Sequence, residues 1–129
     1  MSKHFSNTLS KWHEFVKTQN AEILDEILDE NIQFHSPFIW KPKDGKAMAV
    51  KILLTVITVF ENFKYIREII GETDCVLEFE ATVGEFSLRG VDLIKFGHDG
   101  KIIDFEVMVR PANALQALGM EMSEKLSKQ

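Results

Sequence analysis

Residues 86–111, FSLRGVDLIKFGHDGKIIDFEVMVRP, constrain the fold more than any other stretch. Two runs with apolar alternation flank Gly97-His98-Asp99-Gly100. Asp-Gly and glycine tolerate the positive φ of a tight bend, so the stretch reads as a long antiparallel hairpin. On its first strand Phe86, Leu88, Gly90, Asp92, Ile94 and Phe96 share one face. Arg89, Val91, Leu93 and Lys95 share the other. On the second, Ile103, Phe105, Val107 and Val109 oppose Ile102, Asp104, Glu106, Met108 and Arg110. Asp92 is out of place. A carboxyl in mid-strand on an apolar face must be hydrogen-bonded, neutralised or functional.

Ahead of the hairpin the periodicity is first helical, then extended. Phe5, Leu9, Trp12 and Val16 predict a helix over residues 5–18. Asn20 is positioned to cap a second, short helix with an Ile23, Leu24, Ile27, Leu28 stripe. Residues 31–36 read as a short strand stopped by Pro37, and 38–45 as a loop from which Asp44 can cap the next helix. Residues 46–61 are apolar nearly all round. Their β-branched Thr-Val-Ile-Thr-Val run competes for strand, but the length favours a helix covered on more than one side. Residues 63–70 and 75–83 then read as strands. In the latter, Leu77, Phe79, Ala81 and Val83 alternate with Glu78, Glu80 and Thr82. Pro111 stops the last strand and can open a C-terminal helix with a Leu115, Leu118, Met122, Leu126 stripe. Gly119 is a weak point in that helix, and the tail 123–129 is expected to fray.

Helices clustered ahead of an antiparallel meander give an α+β fold with helices on one face of the sheet. At 129 residues the chain suits one core, with 1–129 a single domain. Acidic and basic residues are interleaved around a net charge of −5, which argues against nucleic acid as partner. A lone cysteine, Cys75, excludes an internal disulfide and reads as a small buried hydrophobe. The N-terminus lacks the apolar core of a signal peptide, and no stretch has the length to span a membrane, so the default location is the cytoplasm. His4, His13, His35 and His98 lack metal-ligand spacing, and there is no phosphate loop or serine-nucleophile elbow. No metal or cofactor is expected.

Two signatures carry a resemblance: Ile32-Gln33-Phe34-His35-Ser36-Pro37 after a helix pair, and Gly90-Val91-Asp92-Leu93-Ile94-Lys95-Phe96-Gly97-His98-Asp99-Gly100-Lys101-Ile102 near the end. With the element order, the chain resembles the nuclear transport factor 2-like superfamily, in particular its SnoaL-like branch, over almost its whole length. The resemblance implies a cystatin-like cone, N-terminal helices packed on a curved, mainly antiparallel sheet around a pocket. It also implies frequent dimerisation through the sheet, and members from isomerases, cyclases, dehydratases and epoxide hydrolases to non-catalytic binders. Fold alone does not select among these. In the steroid isomerase type the general-base aspartate precedes a proline, a position held here by Ser36. The oxyanion tyrosine of the first helix corresponds to Trp12, and the protonated aspartic acid of the penultimate strand to Asp92. One of three is retained. A serine without a base beside it does not take a proton from carbon, so steroid isomerisation by that route is not expected. The SnoaL-type cyclases use an acid/base aspartate with a histidine or arginine nearby. Asp92 and His35 fit that use only if both face the cavity.

The candidate catalytic residues are therefore Asp92, with His35 and Tyr65 assisting. In a dry pocket Asp92 would act as a proton donor near neutral pH; the competing reading is a structural carboxylate satisfied by its neighbours. His35 and Ser36 alternate on one strand, so only one points inward unless the strand bends at Pro37. Trp12, Ser36, Trp40, Phe60, Phe63, Phe79 and Phe105 are candidate cavity-lining residues, although aromatic side chains at such spacing are commonly core. Tyr65 needs a partner for its hydroxyl if buried. Arg110 is placed to clamp a ligand carboxylate, or to pair with Glu106, Glu78 or Glu80 or across a dimer. Its face also carries Val91, Leu93 and Met108, too apolar for a wet sheet surface, and is the expected homodimer interface. The expected ligand is a small, largely apolar molecule. The chemistry, if any, is cofactor-free acid/base; the alternative is a non-catalytic binding or interaction module.

Overall fold

The computed structural model describes residues 4–128. The elements run α1 (Ser6–Thr18), α2 (Ala21–Ile27), β1 (Leu28–His35), β2 (Lys43–Asp44), α3 (Lys46–Val59), β3 (Glu61–Ile70), β4 (Asp74–Val83), β5 (Phe86–Phe96), β6 (Ile102–Arg110) and α4 (Ala112–Ser127). The six strands form one sheet in the order β2-β1-β6-β5-β4-β3. Only β1 and β6 pair in parallel. This is the expected α+β arrangement with two additions. A two-residue strand, β2, emerges from the predicted loop, and β1 starts three residues earlier than the apolar pattern suggests. Residues 46–59 are helical despite their β-branched run, because α3 buries Ala49, Leu53, Thr55 and Val59. The tail, expected to fray, is helical through Ser127; Gln129 and Met1–Lys3 lie outside the described residues.

Local chemistry sets the joints. The Asn20 side chain accepts from Glu22 N–H at 3.0 Å and caps α2 as expected. Asp44 does not cap α3. Its Oδ1 accepts from Gln33 Nε2, and Gly45 takes the cap position. At the β5–β6 turn Gly100 has φ +84°, and Lys101 N–H closes on Asp99 Oδ1 at 3.0 Å. The helices cover the concave face. Trp12, Phe15 and Leu53 pack with Phe34, Leu77, Ile94 and Phe105, and Leu118 and Met122 of α4 with Phe79, Ala81 and Leu88. Strict alternation fails once in β6. Lys95 pairs with Asp104 but Phe96 with Ile102, so Ile103 bulges out and Ile102 turns inward, fully buried. Among the described residues no helix is long and apolar enough to cross a membrane.

One backbone position decides how the sheet carries its aromatic wall. Gly90 pairs with Phe79 across β5 and β4. A Cβ on Gly90 would lie 2.5 Å from Phe79 Cζ and 2.6 Å from the Met108 carbonyl oxygen. The Phe79 ring therefore lies over Gly90, where it stacks on Phe63 with centroids 4.9 Å apart. Gly119 plays a similar part in α4: a Cβ there would meet Phe38 at 3.1 Å. The residue that weakens the helix lets the 36–40 loop close on it. Gly90→Ala must displace a ring or a backbone carbonyl. We expect a loss of about 1–3 kcal/mol, read as a lower denaturation midpoint at unchanged m-value.

Candidate active site

Three elements bring a hydrogen-bonded chain to the buried end of the cone. Trp12 on α1 donates from Nε1 to Tyr65 Oη at 2.9 Å. Tyr65 on β3 donates from Oη to Asp92 Oδ2 on β5 at 2.6 Å. Asp92 is 5% exposed, and the described residues offer its second oxygen, Oδ1, no partner. No side-chain oxygen or nitrogen among the described residues is both sealed from solvent and unpaired. Oδ1 must therefore open on free space, and Asp92 lines the apolar cavity beside it.

The environment sets the protonation states. Burial raises the Asp92 pKa from 3.8 to about 7, against the pull of the Tyr65 hydrogen bond. Tyr65 is held well above its ordinary value, first by burial and then by the charge and hydrogen bond of Asp92, with Trp12 acting in the opposite sense. It stays a donor. Cys75 is pushed up to about 12, mainly by burial, and remains a neutral thiol. Near pH 7, then, Asp92 is the group at this site that exchanges a proton.

The cavity holds about 150 Å³. Its walls come from α1, β1, the 36–39 loop, β2, α3, β3, β5, β6 and α4. Of the expected lining residues, Trp12, Ser36, Phe60, Phe63, Tyr65, Asp92 and Phe105 lie on it. The others do not. Phe79 sits behind the wall, packed on Phe60, Phe63 and Tyr65. Trp40 is 97% exposed on the loop. His35 points to the opposite face, where its Nε2 lies 2.8 Å from Asp104 Oδ1. The alternation of His35 and Ser36 is thus resolved in favour of Ser36, whose Oγ accepts from the N–H groups of Phe38 and Ile39 at 3.2 and 3.3 Å. Arg110 is also outside, paired across the sheet with Arg89. Of the acids expected to hold it, Glu78 is taken by Arg67 at 2.7 Å and Glu80 by Lys64 at 3.2 Å, and no ion pair joins Arg110 to Glu106.

Sequence reasoning missed Lys43, which lines the cavity from β2, and read Leu118, Met122 and Leu126 only as a helix stripe. A two-residue strand has no periodicity to detect. A stripe looks the same over a core as over a void.

No protein-family model matches the chain, and no curated protein matches it in sequence. Solved structures do. A steroid delta-isomerase from Pseudomonas aeruginosa is 42% identical, covering 99% of this chain and 95% of its own, with a TM-score of 0.96. An uncharacterised protein with a cystatin-like fold from Silicibacter pomeroyi is 31% identical, covering 97% and 89%, with a TM-score of 0.90. A protein assigned as a SnoaL-like polyketide cyclase from Jannaschia sp. shares the fold at 10% identity, covering 92% and 95%, with a TM-score of 0.73. The chain belongs to the nuclear transport factor 2-like, SnoaL-like superfamily. The cystatin-like cone expected of that superfamily is the fold observed.

For this member of the superfamily the Asp92 environment makes a stability prediction. The unfolded chain ionises Asp92 near 3.8 and the folded chain near 7, so between these values the folded state holds one more proton. Stability from this site is present below about pH 4 and is lost as pH rises to 7. Asp92→Asn keeps an acceptor for Tyr65 and removes the titration. By pH 8 it should be more stable than wild type by on the order of 2–4 kcal/mol, with the difference vanishing near pH 4. Urea denaturation of both proteins across that range measures it. Parallel curves would show that Asp92 ionises normally.

Proposed function

We propose that the protein binds a small, largely apolar molecule in this cavity and presents Asp92 as a hydrogen-bond and proton donor to a carbonyl oxygen on it. The observation that carries the reading is the free Oδ1 of Asp92 on an otherwise apolar cavity, with Oδ2 held by Tyr65. A neutral carboxylic acid aimed at a carbonyl stabilises negative charge as it develops there. With a pKa of about 7 the same group returns the proton within one cycle. That is cofactor-free acid/base chemistry of the isomerase, cyclase or dehydratase kind, with Tyr65 and Trp12 orienting Asp92.

Size limits the ligand. A void of about 150 Å³ equals one that takes benzene, and lies below the roughly 300–1,000 Å³ of clefts for drug-sized molecules. The activity named for the 42% identical Pseudomonas protein would require a four-ring skeleton. The reading preferred here is a one-ring or short-chain carbonyl compound. Ser36 favours a second reading, binding without turnover. Where the isomerase type places a carboxylate, Ser36 serves a turn, and among the described residues Asp92 is the only carboxylate lining the cavity. His35 cannot supply the missing base from the far face. A cytoplasmic location is proposed with either reading; the chain's single cysteine, Cys75, is buried.

Acetophenone, one ring with one ketone, is the probe. By calorimetry wild type should bind it below pH 7 and weaken about tenfold or more by pH 8.5. Asp92→Asn, a neutral donor at every pH, should bind it without that dependence. Absence of binding, or identical pH profiles, would defeat the reading.

The convex face of the sheet supports a homodimer. Met108 is 49% and Ile69 57% exposed, and Val91 and Leu93 lie between them in register. A second copy would cover this patch. Light scattering after gel filtration should give twice the chain mass for wild type and the single mass for Met108→Glu. A monomeric wild type would refute the interface.

A further inference from the structure

Lys43 lines the cavity from β2. It pairs with Phe34 across β1 and β2, and Phe34 is buried on the concave face. Paired residues share a face, so Lys43 turns inward. The next pair confirms the sense: Gln33 and Asp44 bond to each other on the opposite face. Lys43 has no ion pair or hydrogen bond with any described residue. Nearby acids are engaged elsewhere, Asp25 and Glu30 by Lys46 at 3.5 and 3.1 Å, and Asp44 by Gln33. Asp92 does not serve it either. Along the sheet β2 and β5 are separated by β1 and β6, three strand spacings or roughly 14 Å between backbones. Lys43 and Asp92 thus line one largely apolar cavity from strands that are not neighbours.

Resting on the carbonyl reading above, we infer that the ligand is a small apolar carboxylic acid whose carboxylate pairs with Lys43 while its distal carbonyl meets Asp92. Lys43 is half-buried and shares this lining with Phe38 and Ile39, and a cation in such surroundings gains more from a charge-assisted bond than one in open water. The competing account is a lysine whose stem covers Phe34 and whose head stays in solvent.

Two probes separate these accounts: 4-acetylbenzoate and its neutral analogue 4-acetylbenzamide, compared by calorimetry at pH 6. Wild type should prefer the acid by about tenfold. Lys43→Met should bind both equally, and Lys43→Arg should keep the preference. Equal binding to wild type, or a preference surviving Lys43→Met, overturns the inference and leaves the Asp92 reading standing provided acetophenone binds. Failure of both probes while acetophenone binds also overturns it. Failure of all three removes both.

Discussion

A carboxyl on the concave face of an apolar sheet is the constraint around which this cone is arranged. Left alone, Asp92 would carry a desolvation cost of several kcal/mol or force the sheet to admit water. The Tyr65 hydroxyl meets one oxygen, and Trp12 meets Tyr65. These contacts tie α1 to β3 and β3 to β5, so the polar chain also fixes how the first helix seats on the sheet. The neighbouring thiol of Cys75 adds bulk without charge. What remains is one oxygen on an apolar void, an arrangement that costs stability at neutral pH and is hard to explain as packing alone.

Where the resemblance to the steroid isomerase type implies a first-helix tyrosine stands Trp12, and a hydroxyl from another element reaches Asp92. It comes from β3, and Trp12 supports it. The base position has no such replacement. Ser36 Oγ accepts two backbone N–H bonds that shape the loop leading to Phe38, and Phe38 seats on Gly119 of α4. The position has become a structural joint at the rim of the cavity.

Element types and faces were legible in the sequence because the hairpin alternation and helix stripes are strong, local signals. Asp92 was legible as a violation of that alternation. Its partners were not: Tyr65 lies 27 residues away, and only the β3-β4-β5 register brings the two together. The misplacements follow from the same limit. Phe79 and Phe63 both obey the inward period, but Gly90 lets Phe79 sink behind the wall and leaves Phe63 on it. Trp40 lies in a loop, where periodicity says nothing about direction. Ile102 and Ile103 exchange faces through a single-residue bulge that no residue in the turn announces.

The cavity's dimensions and its polar groups constrain function together. An apolar space of about 150 Å³ rewards any small hydrocarbon and discriminates poorly among them. Discrimination has to come from groups that are costly to leave unpaired, and Asp92 and Lys43 both line this space. A ligand lacking a carbonyl leaves Oδ1 of Asp92 facing hydrocarbon; one lacking an anion leaves Lys43 as it is in the empty protein. The first mismatch is the more severe, because Asp92 is buried and Lys43 half-buried. Asp92 should therefore govern whether a molecule is accepted, and Lys43 in which direction it enters.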